Sequence, residues 1–263
     1  TVNISMGTVG IETLTNSAGT FSTTGSANTT ITSADNKFGA TMNLEGIDIV
    51  SSLINAGTVS VDNQTNIDTL TNTGTINTNG TLTLGRNGQA TLDLITNNGI
   101  INTSGTTILY GNITTGENGS STNKLNLDGS VTVYGAIQND QNVTLSANGT
   151  LIVTDSGVMN FNNGDVWLGT LNLNSTNAVL NYVDMISNDV INATFGTINI
   201  NKSALTGITT KLNVGANSVI ENDVILNIAK GAELSVNGGT LNINDNDNWL
   251  GLITMMTGTD SSG

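Results

Sequence analysis

An all-β fold, a parallel β-helix running as one solenoid repeat domain over residues 1–263, is what this sequence predicts, and three observations carry the prediction. The first is an internal repeat. Leu70-Thr-Asn-Thr-Gly-Thr-Ile-Asn-Thr-Asn-Gly-Thr-Leu-Thr-Leu84 is matched at more than half of its positions by Ile95-Thr-Asn-Asn-Gly-Ile-Ile-Asn-Thr-Ser-Gly-Thr-Thr-Ile-Leu109, 25 residues further on. Degenerate copies start at Leu14 (Leu14-Thr-Asn-Ser-Ala-Gly19-Thr-Phe21) and at Leu53 (Leu53-Ile-Asn-Ala-Gly57-Thr-Val59-Ser-Val61). Self-similarity at this period marks units that bury an apolar face only by stacking on their neighbours. The second observation is strict alternation in short aliphatic-polar-aliphatic triplets, which puts both aliphatics on one side of a strand. The third is composition: 31 Gly and no Pro, Cys or His, where average usage would give about 18 Gly and about 13 Pro. Proline cannot donate to a strand ladder, and a solenoid whose strands pair on both sides leaves it little room.

In chain order the triplets are Val2-Asn-Ile4, Val59-Ser-Val61, Leu82-Thr-Leu84, Leu92-Asp-Leu94, Leu125-Asn-Leu127, Val131-Thr-Val133, Val143-Thr-Leu145, Leu151-Ile-Val153, Leu171-Asn-Leu173, Ile198-Asn-Ile200, Leu212-Asn-Val214, Leu226-Asn-Ile228, Leu234-Ser-Val236 and Leu241-Asn-Ile243. Between Asn72 and Leu84 the strands are about three residues long, too short for self-supporting hairpins. The pairs Asn79-Gly80, Asn98-Gly99, Asn148-Gly149, Asn163-Gly164 and Asn237-Gly238, which would mark two-residue hairpins between longer strands, therefore read as the corners of a coil. Gly and Asn suit such corners because both tolerate the left-handed conformation. The segment nearest to helical spacing, Asn181 to Ala193, has aliphatics at Val183, Ile186, Val190 and Ile191, but Asn188, Asp189 and its β-branched residues are poor helix formers; it reads as loop with strand. With strands about 4.8 Å apart and roughly 20 to 25 residues per coil, the chain makes about eleven to thirteen coils, a rod on the order of 55 Å long. Thr and Asn at equivalent positions are expected to form side-chain ladders along it. Neither end reads as capped, and the first residue is Thr, so residues 1–263 are expected to be a fragment or processed part of a longer chain.

Charge narrows the function. Twenty acidic residues face six scattered cations (Lys37, Arg86, Lys124, Lys202, Lys211 and Lys230), for a net charge of −14. Nucleic-acid binding needs clustered Lys or Arg, so no nucleic-acid partner is expected; the acidity keeps a long bare surface soluble. No apolar run of about 18 residues is present, so this segment is not expected to insert into a membrane. The absence of Cys excludes a disulfide-stapled scaffold and suits a chain that crosses a periplasm unfolded.

These features resemble the passenger domains of Gram-negative autotransporters, the type V secretion family. The resemblance rests on Leu70–Leu84 and Ile95–Leu109, on Gly149-Thr-Leu151, Gly169-Thr-Leu171, Gly196-Thr-Ile198 and Gly239-Thr-Leu241, and on Trp249-Leu-Gly-Leu-Ile-Thr-Met. It implies a right-handed β-helix, export through a C-terminal outer-membrane barrel, display at the bacterial cell surface or release outside the cell, and an adhesive or coat role. Filamentous haemagglutinin-type exoproteins and phage fibres share the pattern. Serine-protease passengers carry a Gly-Asp-Ser-Gly motif; here Asp155-Ser156-Gly157 lacks the first Gly, and there is no His to act as base.

The rival reading is a polysaccharide-degrading β-helix of tailspike or lyase type, which needs paired carboxylates. Asp155 with Asp165, Asp184 with Asp189, and Asp245 with Asp247 are the candidate pairs, and Trp167, Trp249, Tyr110, Tyr134 and Tyr182 the candidate sugar platforms, none adjacent in sequence. Solvated turn carboxylates account for the same residues, so no catalytic, cofactor-binding or metal site is assigned. Calcium in Asn244-Asp-Asn-Asp-Asn248 would use oxygen ligands, but Asx turns explain that segment too. A water-ordering face of Thr-x-Thr rows is suggested by Thr78, Thr81 and Thr83, and by Thr103, Thr106 and Thr107, yet the threonines do not keep one register by sequence. The expectation is a non-enzymatic adhesin, stalk or fibre subunit acting through an extended face, without cofactor, whose partners are a host-cell or surface receptor or further copies of itself, head to tail or side by side.

Overall fold

The computed structural model describes residues 1–87, 89, 94–115, 124–139, 144–147, 149–161, 165–167, 169–183, 190–202 and 209–256. Among these there is no helix, and the strands pair in parallel as a solenoid of about eleven turns. Each turn lays one strand on each of three faces, numbered here in the order the chain meets them. One turn consists of Thr75–Thr78, Thr81–Leu84 and Leu94–Asn97, and the next repeats it with Ile100–Thr103, Thr106–Leu109 and Asn112–Thr115.

The register explains the repeat. Ile76 pairs with Ile101, Leu82 with Thr107 and Leu70 with Ile95, so the 25-residue period is one winding of the chain. The degenerate copies stack in the same column: Leu14 on Ala34, Ala34 on Leu53, and Leu53 on Leu70. Turns range from 17 to 28 residues; the extra residues leave at corners, so strand register is kept while loop length varies.

Four residues is the commonest strand length, and such strands bury their second and fourth side chains, as in Thr58–Val61 and Thr81–Leu84. The aliphatics so aligned form one continuous core column from Phe21 to Leu234, each contributing about 1.5–3 kcal/mol on burial. Near the N-terminus and in the ninth and tenth turns the strands run on through the corners, as Val2–Asn16, Gly19–Asn36, Thr170–Val183 and Val190–Asn201. There a bent strand replaces two or three short ones, and between Asn72 and Leu84, where strands of about three residues are expected, they are four residues long. Asn181–Val183 and Val190–Ala193 are strand, in keeping with the sequence reading, and 184–189 lie outside the described residues.

Among the described residues, Leu94 and Ile243 depart from the alternation. Leu94 opens its strand facing outward, 62% exposed, and Ile95 takes the inward place. Leu241-Asn-Ile243 leaves the sheet after Leu241, and Ile243 is 40% exposed. In both cases the corner, not the local pattern, sets which residue starts the inward count.

The reason for glycine at the corners also differs from expectation. Gly57, Gly74 and Gly99 stack at the corner between faces three and one, and Gly80, Gly105, Gly129 and Gly149 at the corner between faces one and two. A Cβ on any of them would lie 2.0–2.2 Å from a carbonyl oxygen of the turn beneath. None of these seven has positive φ; Gly39, Gly85, Gly196 and Gly238 do. Close approach of stacked backbones, rather than left-handed conformation, excludes side chains at most corners.

Candidate functional site

Of the candidate carboxylate pairs, Asp155 and Asp165 are split between two corners. Asp155 sits with φ 51° in the corner between faces two and three, where its carbonyl accepts a 2.9 Å hydrogen bond from Ser175 Oγ. Asp165 is buried at the start of the next turn's face-one strand, a different corner. Asp184 and Asp189 lie outside the described residues. Asp247 is occupied as a turn cap: Oδ1 accepts from the Leu226 amide at 2.9 Å and Oδ2 from the Asn244 amide at 3.0 Å. The Asn244 side chain in turn accepts from the Asn246 amide and donates to the Asn222 and Val224 carbonyls. The acidic turn is thus an Asx network, and among the described residues no three His, Cys, Asp or Glu side chains cluster to hold a metal ion.

Stacking does unite residues that are distant in sequence. Leu109 pairs with Val133, which places Tyr110 over Tyr134, rings parallel within 25° and centroids 4.7 Å apart on the outer surface. Tyr182 instead fills the core against Phe161, with ring centroids 6.4 Å apart, and Trp249 is 43% exposed. Side-chain placement of Trp167 lies outside the description.

The outer side of face two is regular, as is that of face one, but unlike face one, which carries Lys124, it bears no charge. Its first outward column runs Gln64, Thr81, Thr106, Ser130, Thr150 and Thr170, and its second Asn66, Thr83, Ile108, Thr132, Ile152 and Asn172, without a register shift. The threonines named from the sequence are divided, in keeping with the sequence reading: Thr81 and Thr106 stack in one outward column, Thr83 lies on Ile108, and Thr78, Thr103 and Thr107 point inward. No charged residue occupies either column. Charges sit at corners instead, as with Glu45, Asp62 and Asp128 between faces one and two, and Asp68, Asp155 and Glu221 between faces two and three. A flat strip of hydroxyls, amides and methyls, bounded by acidic edges, is the result.

A groove of about 420 Å³ runs along the corner between faces three and one, floored by Gly57, Gly74 and Gly99, with Phe38, 89% exposed, at one end. Its floor exists because no side chain fits there.

Inside the solenoid, Asp48 is 1% exposed on face two, and Thr23 Oγ1 donates to its Oδ2 at 2.7 Å. Its Oδ1 and the hydroxyls of Thr29 and Thr65, in the turns before and after, have no hydrogen-bond partner among the described residues. Burial pushes the carboxyl above the ordinary aspartate range, and its hydrogen bonds only partly oppose the shift.

Comparison with protein-family models, with curated proteins and with solved structures finds no match. No helix among the described residues is long and apolar enough to cross a membrane.

Proposed function

We propose that this chain is a non-enzymatic, secreted or surface-displayed β-solenoid rod that serves as an adhesin, stalk or coat subunit, and that it meets its partner through the outer side of face two. The observation carrying this reading is the uncharged strip from Gln64 and Asn66 to Thr170 and Asn172, in register over six turns of a chain whose net charge is −14. Such a strip offers many weak, repeated contacts to a neutral, extended partner, such as the glycan-bearing surface of a host cell, while the acidic corners repel polyanions. The Cys-free, Pro-free sequence is compatible with threading through an outer-membrane pore and folding outside, the route that the autotransporter-like pattern implies.

The test compares retention on host-cell monolayers of beads coated with the wild-type chain, with Thr106→Lys/Thr150→Lys on face two, and with Thr58→Lys/Thr75→Lys on face one, after circular dichroism confirms that each is folded. Retention should drop about tenfold, the factor for about 1.4 kcal/mol, for the face-two pair alone. Equal losses from both faces, or none from face two, would overturn the assignment.

A further inference from the structure

Three Asn-Gly pairs lie wholly among the described residues, chemically alike in sequence and unlike in the fold; Asn148 and Asn163-Gly164 lie outside them. Deamidation at such a pair begins when the glycine amide nitrogen attacks Asn Cγ. The N–Cγ bond forms, the Cγ–Nδ2 bond breaks, and the amide proton and Nδ2 leave as ammonia; water then opens the succinimide to aspartate or isoaspartate. The attack needs a glycine N–H free of hydrogen bonds, a mobile Asn side chain, and room for the peptide plane to rotate.

At Asn79-Gly80 all three are blocked. Asn79 Nδ2 donates to Asp62 Oδ1 at 2.9 Å, its Oδ1 accepts from Ser104 Oγ at 2.8 Å, and Gly80 N–H donates to the Val61 carbonyl at 3.0 Å. Gly80 is also wedged so that even a methyl would lie 2.2 Å from the Asn63 carbonyl oxygen. At Asn98-Gly99, Gly99 N–H donates to Asn97 Oδ1 at 3.3 Å, its carbonyl accepts from the Lys124 amide at 2.9 Å, and the Gly74 carbonyl oxygen lies 2.2 Å from where a Cβ would stand. Asn237-Gly238 differs in every respect. Both residues are exposed, neither the Asn237 side chain nor the Gly238 N–H has a hydrogen-bond partner among the described residues, and a Cβ on Gly238 (φ +81°) would meet nothing nearer than 3.8 Å.

We infer that Asn237 is a self-modification site, converting spontaneously to aspartate and isoaspartate in the folded protein while Asn79 and Asn98 are held as amides by the stack. Asn237 ends the strand Glu233–Asn237 and pairs with Met256. Isoaspartate there inserts a methylene into the main chain and adds a negative charge, uncoupling the last rung of that sheet.

The test incubates the intact chain in mildly alkaline buffer at physiological temperature and maps Asn79, Asn98 and Asn237 by peptide mass spectrometry, with a urea-unfolded sample alongside. In the folded protein Asn237 should convert at least about tenfold faster than the other two, which must first open locally; on unfolding the three rates should converge. Labelling by an isoaspartyl methyltransferase should appear in the 237-containing peptide and vanish from it in Asn237→Gln. Conversion at Asn79 or Asn98 as fast as at Asn237 in the folded chain would overturn the inference, as would an unmodified Asn237 in a sample whose unfolded control reacts.

Discussion

At the residue scale the stacked glycines and Asp48 set the sharpest expectations. Gly74→Ala and Gly99→Ala each force a methyl to 2.1–2.2 Å from a carbonyl oxygen of the turn below, so the stack must part locally; a loss of about 2–4 kcal/mol in urea denaturation is expected. Gly10→Ala, where nothing lies within 4 Å and φ is not positive, should change stability by less than about 0.5 kcal/mol. Asp48 and Glu233 pull the pH profile in opposite directions. The raised carboxyl of Asp48 holds its proton in the folded chain at pH values where the unfolded chain has lost it, so its contribution is full in acid and declines as pH rises through the folded value. The Glu233 carboxyl is held below the usual glutamate range by its hydrogen bond to Lys211, 3.0 Å away; its contribution is present at neutral pH and declines as pH falls. Asp48→Asn keeps the Thr23 contact geometry without the charge. It should raise the thermal midpoint at neutral pH and flatten the acid-to-neutral slope, and a midpoint that falls equally at all pH values would contradict the assignment of a strained buried carboxyl.

At the element scale, two kinds of asparagine ladder hold the turns together. The inner one ends the face-three strands. Asn16, Asn36, Asn55 and Asn72 each donate through Nδ2 to the Oδ1 of the next, the last to Asn97, over 2.8–2.9 Å. The same Nδ2 atoms also donate to the following face-one strand, from Asn36 to the Thr58 carbonyl at 3.0 Å and from Asn72 to the Ile100 carbonyl at 3.2 Å, which pins the corner. The outer ladders, Asn77–Asn102–Asn126 and Asn160–Asn181–Asn199–Asn227, link one face across turns in partly wet surroundings. Removing a member of a buried chain strands its neighbours, at about 1–3 kcal/mol for each group left unpaired. Asn72→Ala should therefore cost about 2–4 kcal/mol and couple with Asn55→Ala in a double-mutant cycle, whereas Asn102→Ala should cost under about 1 kcal/mol because water replaces the lost bond. Equal effects at Asn72 and Asn102 in urea titrations would refute the distinction.

At the scale of the whole molecule, charge is distributed by shape: most of the described acids sit at corners, and few charges, among them Asp35, Lys124, Lys211 and Glu233, lie on the faces. Few cations compensate, with Lys37–Asp35, Arg86–Asp68 and Lys211–Glu233 bridged among the described residues. Like charges then repel along each acidic edge, and salt screens them within a Debye length of about 8 Å at physiological ionic strength. The thermal midpoint should rise as sodium chloride goes from a few millimolar to about 0.15 M; a fall would mean that the ion pairs outweigh the repulsion. Aromatic residues change role along the rod. Beyond Asn97 the last register position of the face-three strands passes through Thr115 and Asn139 to Phe161 and Tyr182, so polar residues give way to apolar filling.

The sequence by itself determined the parallel winding and the inward aliphatics, because a period of two in the strand and a period of about one turn in the chain are both written in residue type; Leu70 over Ile95 and Leu82 over Thr107 could be aligned without coordinates. The inner ladder was also legible in principle, since Leu14-Thr-Asn16, Leu53-Ile-Asn55 and Leu70-Thr-Asn72 put Asn on the aliphatic side of the same alternation. Only the tertiary structure decided what faces what between turns of unequal length. That Tyr110 lies on Tyr134, that Thr81 to Thr170 form one column, that Leu94 turns outward, and that glycine is required by a carbonyl from another turn are all facts of register. Register is set by how many residues each corner takes up, and corner length is free to vary because the strands stacking above and below, not the loop, supply the binding energy.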